Sequence, residues 1–595
     1  MPLSRALIAV LLFATAGLGQ GPLLPNDKPF EIKEQYTKYE HRIPMRDSKR
    51  LFTAVYVPKL PGKYPFLMMR TPYTVNPYGV DRYPGSLGPS NQFGREGYIF
   101  VYQDVRGRWM SEGEFVNMRP HNPHKSGPAD IDESTDTYDT IDWLIKHVPN
   151  NNGKFGQWGI SYPGFYTAAG MIDAHPALKA CSPQAPINDW FMGDDWHHNG
   201  AFMLPHCFNF IADFGKPRPE PTKKFGYLRF DHETPDGYDF FLKLGPLANA
   251  DKKYFKGQVA YWKEVMKHPD YDDYWQARNL RPHLKNIKPA VMTVGGWFDA
   301  ENLFGALETY KTVEANSPGA TNFLVMGPWV HGGWSRGEGD HLGPVQFNAK
   351  TAKYFEEKIE LPFFEFFLKG KGDGRFPEAY VFETGTNVWR QYDAWPPRTA
   401  KPKSLYLRAG GRLAFDGPGE GPSLFDEYVS DPAKPVPYID QIGIGMLQEY
   451  KTADQRFAAC RPDVLTYQTG VLAEDLTVLG QIKVDFHVST SGTDSDWIVK
   501  LIDVYPDDYP DPDPNPKGVK MGGYQQLVRG DILRGKFRNS FSKPEPFQPN
   551  SPTPIHFAEQ DICHTFRAGH RVMVQVQSSW FPLNDRNPQT FVDIY

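Results

Sequence analysis

Short apolar runs bounded by Pro or Gly alternate with stretches of helical spacing over the first third of the chain. Leu51 to Val57 is β-branched and aromatic, Phe66 to Arg70 and Tyr98 to Gln103 are short apolar runs, and each reads as a strand. Thr135 to Val148 places Tyr138, Ile141, Leu144 and Ile145 at helical intervals and stops before Pro149, which predicts a helix. Lys154 to Ile160 then reads as a buried strand and Phe165 to His175 as a helix. Strands that alternate with helices imply parallel pairing, hence an α/β sheet.

The alternation breaks down from about Ala185 to Pro289, a stretch rich in Trp, Phe, Tyr, His and Asp, with helices expected around Tyr238 to Leu244 and Tyr254 to His268. It reads as a helical insertion covering the sheet edge. β runs return at Ala290 to Val294 and Asn322 to Met326, followed by a helix-like Thr351 to Gly370. Beyond it, short runs such as Ser404 to Leu407, Ile482 to Val488, Trp497 to Val504 and Arg571 to Ser578 are separated by Pro and Gly, the pattern of a β-sandwich or jelly roll. The expected organisation is therefore a sheet domain over 20–185 and 286–372, a helical cap over 186–285 and an all-β sandwich over 373–595.

Length agrees with several domains, since single cores stop growing at about 250 to 300 residues and this chain has 595. A net charge of -5 provides no basic face, which excludes nucleic acid as an expected partner. At the N-terminus, Arg5 precedes the apolar run Ala6 to Ala16, which is shorter than a bilayer span and is followed by Gly17, Gly19 and Gly21. This reads as a signal peptide over 1–19, so a periplasmic or secreted protein without a membrane partner is expected. Cys181, Cys207, Cys460 and Cys563 show no metal-type spacing; they are either free thiols of a large core or disulfide-forming, with Cys460 and Cys563 the pair to test first. The Asp- and Pro-rich stretch Asp507 to Pro516 reads as a solvated loop, because it lacks calcium-loop spacing.

The chemistry lies in Gly159-Ile160-Ser161-Tyr162-Pro163-Gly164, between a strand-like and a helix-like segment, followed by Asp299 and His331 at the ends of the two later β runs. A serine hydroxyl needs a base to take its proton and a carboxylate to orient that base. The order Ser, Asp, His is that of α/β-hydrolases, and groups at the carboxyl ends of parallel strands converge. The glycine comes one residue later than in G-x-S-x-G, and Pro163 is tolerated in a helix's first turn. The Tyr162 N–H supplies one oxyanion donor by construction. Tyr73, just past a strand, reads on its own as core or rim packing. His121, His124, His197 and His198 have no metal-binding spacing.

Taken with Tyr39-Glu40-His41-Arg42-Ile43-Pro44-Met45-Arg46-Asp47, Tyr102-Gln103-Asp104-Val105-Arg106-Gly107-Arg108, Asp189-Trp190-Phe191 and Gly193-Asp194-Asp195-Trp196-His197-His198-Asn199-Gly200, these motifs resemble the α-amino acid ester hydrolases. Those enzymes sit in the wider group of cocaine esterase, glutaryl cephalosporanic acid acylases and X-Pro dipeptidyl peptidases. The resemblance runs almost end to end. It implies an α/β-hydrolase domain, a helical cap and a C-terminal jelly roll, a Ser161, His331, Asp299 triad without metal or organic cofactor, and Tyr73 as the second oxyanion donor. It further implies that the substrate ammonium meets a carboxylate cluster, matched here by Asp195 and Glu301, while the third position is Asn302, whose amide oxygen accepts one hydrogen bond in place of a charge.

On this resemblance the expected activity is hydrolysis, and transfer, of α-amino acyl groups from small esters. A dipeptidyl peptidase cleaving after proline, which also binds a free amine, stands as the alternative. A glutaryl acylase is disfavoured because Asp195 and Glu301 repel an anionic acyl group, and a non-enzymatic carbohydrate- or surface-binding protein is disfavoured by the intact set of site residues. Homo-oligomers are expected, with the arm Pro22 to Glu34 clasping a neighbour. The chain stops at Phe591-Val592-Asp593-Ile594-Tyr595, where relatives continue through a last strand, so either truncation or a different closure of the sandwich is expected.

Overall fold

The computed structural model describes residues 30–592 except 217, 219, 224–229 and 418–424. The expected signal peptide, most of the N-terminal arm and residues 593–595 lie outside this range. Ten strands form one sheet: β1 (Tyr36–Pro44), β2 (Arg50–Pro58), β3 (Tyr64–Thr71), β4 (Ile99–Asp104), β5 (Asn151–Ile160), β6 (Leu178–Gln184), β7 (Ala290–Gly296), β8 (Asn322–Gly327), β9 (Ala379–Glu383) and β10 (Val388–Tyr392). Their order is β1-β2-β4-β3-β5-β6-β7-β8-β9-β10. The run from β4 to β9 is parallel, and antiparallel strands finish both edges. Central strands such as β7 are buried along their whole length, as expected where helices cover both faces.

The sheet runs past the expected boundary at residue 372. Leu324 of β8 pairs in parallel with Ala379 of β9, and a parallel neighbour requires a crossover. The segment Thr351–Lys369 supplies it: α-helical turns over Thr351–Phe355 and Leu361–Phe364 alternate with wider π turns over Glu356–Glu360 and Glu365–Lys369, ending at left-handed Gly370. The shift in composition at 373 therefore precedes the end of the sheet at Tyr392.

Four helices position the site: α1 (Glu133–His147), α2 (Tyr162–Gly170), α3 (Leu204–Phe214) and α4 (Leu303–Asn316). Asp132 caps α1, accepting from the Thr135 N–H while Thr135 bonds back. Every residue of α2 is buried, as a helix apolar all round must be. Two helix expectations change. The helix expected over Phe165 to His175 begins at Tyr162 and ends at Gly170, and the one expected over Tyr254 to His268 is split into Ala250–Phe255 and Ala260–Val265. Left-handed Lys256 and Gly257 stand between those two pieces and stop the helix.

The C-terminal region pairs β11 (Tyr406–Arg408), β12 (Arg412–Ala414), β13 (Leu465–Gln468), β14 (Leu476–Val488), β15 (Asp496–Val504), β16 (Gln525–Arg534), β17 (Thr553–Phe566) and β18 (Arg571–Gln577). A six-stranded sheet, β11-β12-β13-β18-β15-β16, faces the long β14–β17 ribbon across Val499, Val528 and Val576 on one side and Val484, Ile562 and Phe566 on the other. One continuous apolar cluster joins Val55 and Phe66 of the first sheet, Trp190, Phe208 and Trp262 of the cap, and Ile498 and Trp580 of the sandwich. Each such side chain contributes about 1.5–3 kcal/mol when fully buried. All four cysteines are free, so the Cys460–Cys563 disulfide does not form: Cys460 is exposed after a short helix, whereas Cys563 is buried inside β17.

Candidate active site

Ser161 stands between β5 and α2 with φ 66° and ψ -124°, a left-handed conformation that a non-glycine residue adopts only under constraint. The constraint is close packing. A Cβ on Gly159 would lie 2.5 Å from the Pro163 side chain, and one on Gly164 would lie 2.4 Å from the Gln184 carbonyl of β6. The displaced glycine thus does the work of the usual one: it lets the first turn of α2 press against the neighbouring strand. The Ser161 N–H donates to that same Gln184 carbonyl at 2.9 Å.

Asp299 and His331 follow β7 and β8, and their loops are bonded to one another: the Trp297 N–H donates to Gly327 at 2.8 Å and the Phe298 N–H to Trp329 at 3.0 Å. His331 Nδ1 lies 3.0 Å from Asp299 Oδ2. Asp299 is buried and also accepts from the N–H groups of Glu301 at 2.7 Å and Asn302 at 3.0 Å. Burial would raise this carboxyl, but the His331 charge and these bonds hold it below the usual range. The His331 loop is tied to the sheet through Trp334, whose Nε1 donates to Gln184 Oε1 at 2.6 Å while Gln184 Nε2 donates to Glu360 at 2.6 Å.

Tyr73, Ser161, Tyr162, Asp195, His206 and Glu301 line one narrow cleft together with cap aromatics. The Pro72 carbonyl beside Tyr73 is held by Arg108 Nε at 3.2 Å and Trp109 Nε1 at 3.0 Å, so part of the Tyr102 to Arg108 motif serves to fix this corner. The Tyr73 and Tyr162 rings meet edge to face at 6.2 Å. The Tyr162 N–H opens α2, where the helix itself offers no acceptor.

The carboxylate wall comes from distant parts of the chain. Asp195 Oδ2 accepts from Trp190 Nε1 at 3.1 Å and Asn302 Nδ2 at 2.8 Å, and its Oδ1 lies 3.4 Å from His206 Nε2. Asn302 is wholly buried and turns its amide nitrogen toward Asp195 and Asp194, so it supports the wall from behind. Glu301 Oε2 is 3.4 Å from His331 Nε2, and its Oε1 accepts from Gln448 Nε2 of the C-terminal region at 2.9 Å. One carboxylate oxygen each of Asp195 and Glu301 and one ring nitrogen of His206 lie within 4.8 Å of one another. Burial opposes charge on His331, but Glu301 and then Asp299 outweigh it and raise the imidazole to about 10. His206 is raised in the same way, against burial, by Glu301 and Asp195.

Sequence reasoning missed His206 and Gln448. His206 sits on α3, which starts at an uncapped Met203 inside an aromatic-rich stretch; an apolar spacing through Leu204, Phe208 and Ile211 was its available signal. Gln448 lies on a short turn, Gln448–Thr452, and no local pattern marks it.

Residues 47–333 match the model for the X-Pro dipeptidyl-peptidase S15 family, and 371–593 match that family's C-terminal non-catalytic domain. The chain is 28% identical over 571 residues to cocaine esterase from Rhodococcus sp. strain MB1 Bresler, covering 92% of each. It superimposes with a TM-score of 0.86 on an aminopeptidase from a marine sediment Thaumarchaeota archaeon, at 37% identity over 96% of this chain and 93% of that one. An α-amino acid ester hydrolase structure gives the same TM-score of 0.86, at 38% identity over 97% of this chain and 95% of the other.

Proposed function

The chain belongs to the S15, X-Pro dipeptidyl-peptidase-like family of serine hydrolases, and from that premise we propose that it cleaves α-amino acyl groups from small esters through an acyl-enzyme. The observation that carries this reading is the shared cleft, which Ser161 lines together with Asp195 and Glu301. A buried ammonium is costly unless paired, and these carboxylates pair it beside the reacting carbonyl.

His331, oriented by Asp299, takes the Ser161 proton as the hydroxyl attacks the ester carbon. The Tyr162 N–H and the Tyr73 hydroxyl receive the charge that builds on the carbonyl oxygen. His331 then gives the proton to the departing alcohol, and water, or an amine in a transfer reaction, releases the acyl group. Asn302 keeps Asp195 turned toward the cleft. The chain's own residues supply every proton transfer in this sequence.

A second reading, release of amino acids or X-Pro dipeptides from peptide N-termini, draws on the same feature, because a peptide's terminal amine presents the same ammonium. The test is one hydrolysis panel on one preparation: an alanyl ester, the propionyl ester of the same alcohol, and an alanyl-prolyl amide. The proposal expects the alanyl ester to have the highest kcat/KM; preference for the amide moves the assignment to the peptidase, and preference for the propionyl ester removes the role of the wall.

Export to the periplasm or the outside of the cell is part of the proposal, supported by Arg5 and the Ala6 to Ala16 run. Recovery of the activity from the cytosolic fraction would contradict it. Among the described residues no helix is long and apolar enough to cross a membrane. Homo-oligomerisation is likewise proposed, and its check is the mass of the active species in solution.

A further inference from the structure

Glu301 stands where three parts of the chain meet. One carboxylate oxygen lies 3.4 Å from His331 Nε2, and the other is held at 2.9 Å by Gln448 from the C-terminal region. With Asp299 at 3.0 Å from Nδ1, the imidazole has a carboxylate at each nitrogen. Among the described residues, no hydrogen bond joins the Ser161 hydroxyl to His331. A general base needs a free lone pair aimed at the proton it takes, whereas an imidazole between two carboxylates is most stable with both nitrogens protonated. These contacts arrange the site around an imidazolium, which cannot accept the serine proton.

We infer that Glu301 locks the base until substrate binds, and that the substrate's α-ammonium group opens the lock by drawing the Glu301 carboxylate toward itself and Asp195. This rests on the α-amino acyl reading of the cleft. The proton balance is closed. When the ammonium neutralises Glu301, the imidazolium gives its Nε2 proton to solvent, so one proton is released as the substrate binds. Nε2 then takes the Ser161 proton while the new O–C bond forms, and passes it to the alcohol oxygen as the ester C–O bond breaks. Selectivity for α-amino substrates therefore acts on turnover as well as on binding. A des-amino ester that enters the cleft finds a protonated base.

The charged and titratable groups around the imidazole fit this role. Asp299 and Glu301 come from the loop after β7, Asp195 and His206 from the cap, and Lys451 from the same C-terminal turn as Gln448, while Arg336 of the imidazole's own loop packs on Gly332. Burial lowers Lys451 to about 8 and Arg529 to about 10, which weakens both C-terminal cations that line a cavity with Asp299 and Glu301 as counterweights to the acids around His331. Burial by itself would also discharge His331; it is the acids that hold it charged, Glu301 foremost.

The test follows kcat and KM from pH 5.5 to pH 10 for an alanyl ester and the propionyl ester of the same alcohol, on the wild type and on Glu301→Gln, which keeps a carbonyl oxygen for Gln448. In the wild type the propionyl kcat should still be rising above pH 8, while the alanyl kcat levels off at least about one pH unit lower. Glu301→Gln should shift the propionyl limb down and raise propionyl kcat at pH 7 by about tenfold, one decade for each unit of base pKa removed, while lowering turnover of the alanyl ester. Equal losses on both esters, or an unmoved propionyl limb, would overturn the lock. A wild type that shows no preference for the alanyl ester at all would defeat the underlying function instead, so the two failures are distinguishable. If the variant does not fold, the wild-type pair of profiles decides: superimposable kcat limbs for the two esters would overturn the lock, and separated limbs support it.

Discussion

Ser161 and Glu301 line the same cleft but are held by opposite means. Ser161 is set by backbone: a left-handed φ, a missing Cβ on either side and a bond from its own N–H to Gln184. Glu301 is set by side chains from elsewhere, with His331 on one oxygen and Gln448 on the other. A nucleophile gains from having no alternative position, because reactivity depends on alignment within fractions of an ångström. In the role proposed for Glu301, an acid that reads the substrate has to exchange partners when the substrate arrives, and contacts between charged side chains permit that.

Substitutions can break this contrast from either side. The largest effect is expected for Ser161→Ala, which should cost about 10^4-fold or more in kcat with thermal unfolding unchanged; residual turnover within tenfold of wild type would mean another nucleophile. Tyr73→Phe should lower kcat about 10^2- to 10^3-fold with little change in KM, the signature of a lost oxyanion donor, and a pure KM effect would return Tyr73 to a packing role. Gly164→Ala places a Cβ 2.4 Å from the Gln184 carbonyl. It should destabilise the fold by about 1–3 kcal/mol in denaturant titrations, as overpacking does, and should lower kcat for both ester types alike. Gln448→Ala should be mildest, losing about two- to tenfold on α-amino esters, the worth of one hydrogen bond, with plain esters spared; equal loss on both would make Gln448 structural.

The same contrast explains what was legible in the sequence. The elbow is contained in six consecutive residues, so its glycines, proline and serine could be read together, and the placement of Asp299 and His331 followed from strands ending in loops. Asp195 and Glu301 were found through family motifs, not through spacing. His206 was missed because α3 starts without a polar cap in a run of aromatics, and Gln448 because it reaches Glu301 across 147 positions. The family motif places Asn302 among the ligands, but its burial behind Asp195 depends on how α4 packs on the cap, which no local pattern encodes. The sheet's last two strands were assigned to the sandwich because composition changes near residue 373, whereas pairing with β8 is decided by the crossover helix before them.

Above all, Ser161 has to be a nucleophile activated by His331 and Asp299. The decisive experiment is reaction of the folded protein with the diphenyl ester of 1-aminoethylphosphonate, whose ammonium group frees His331 as that of a substrate would, read by intact mass and peptide mapping. One adduct per chain is expected, located on Ser161 and formed far more slowly in Asp299→Asn. A folded wild-type protein that stays unlabelled, or one labelled at another residue, would contradict it.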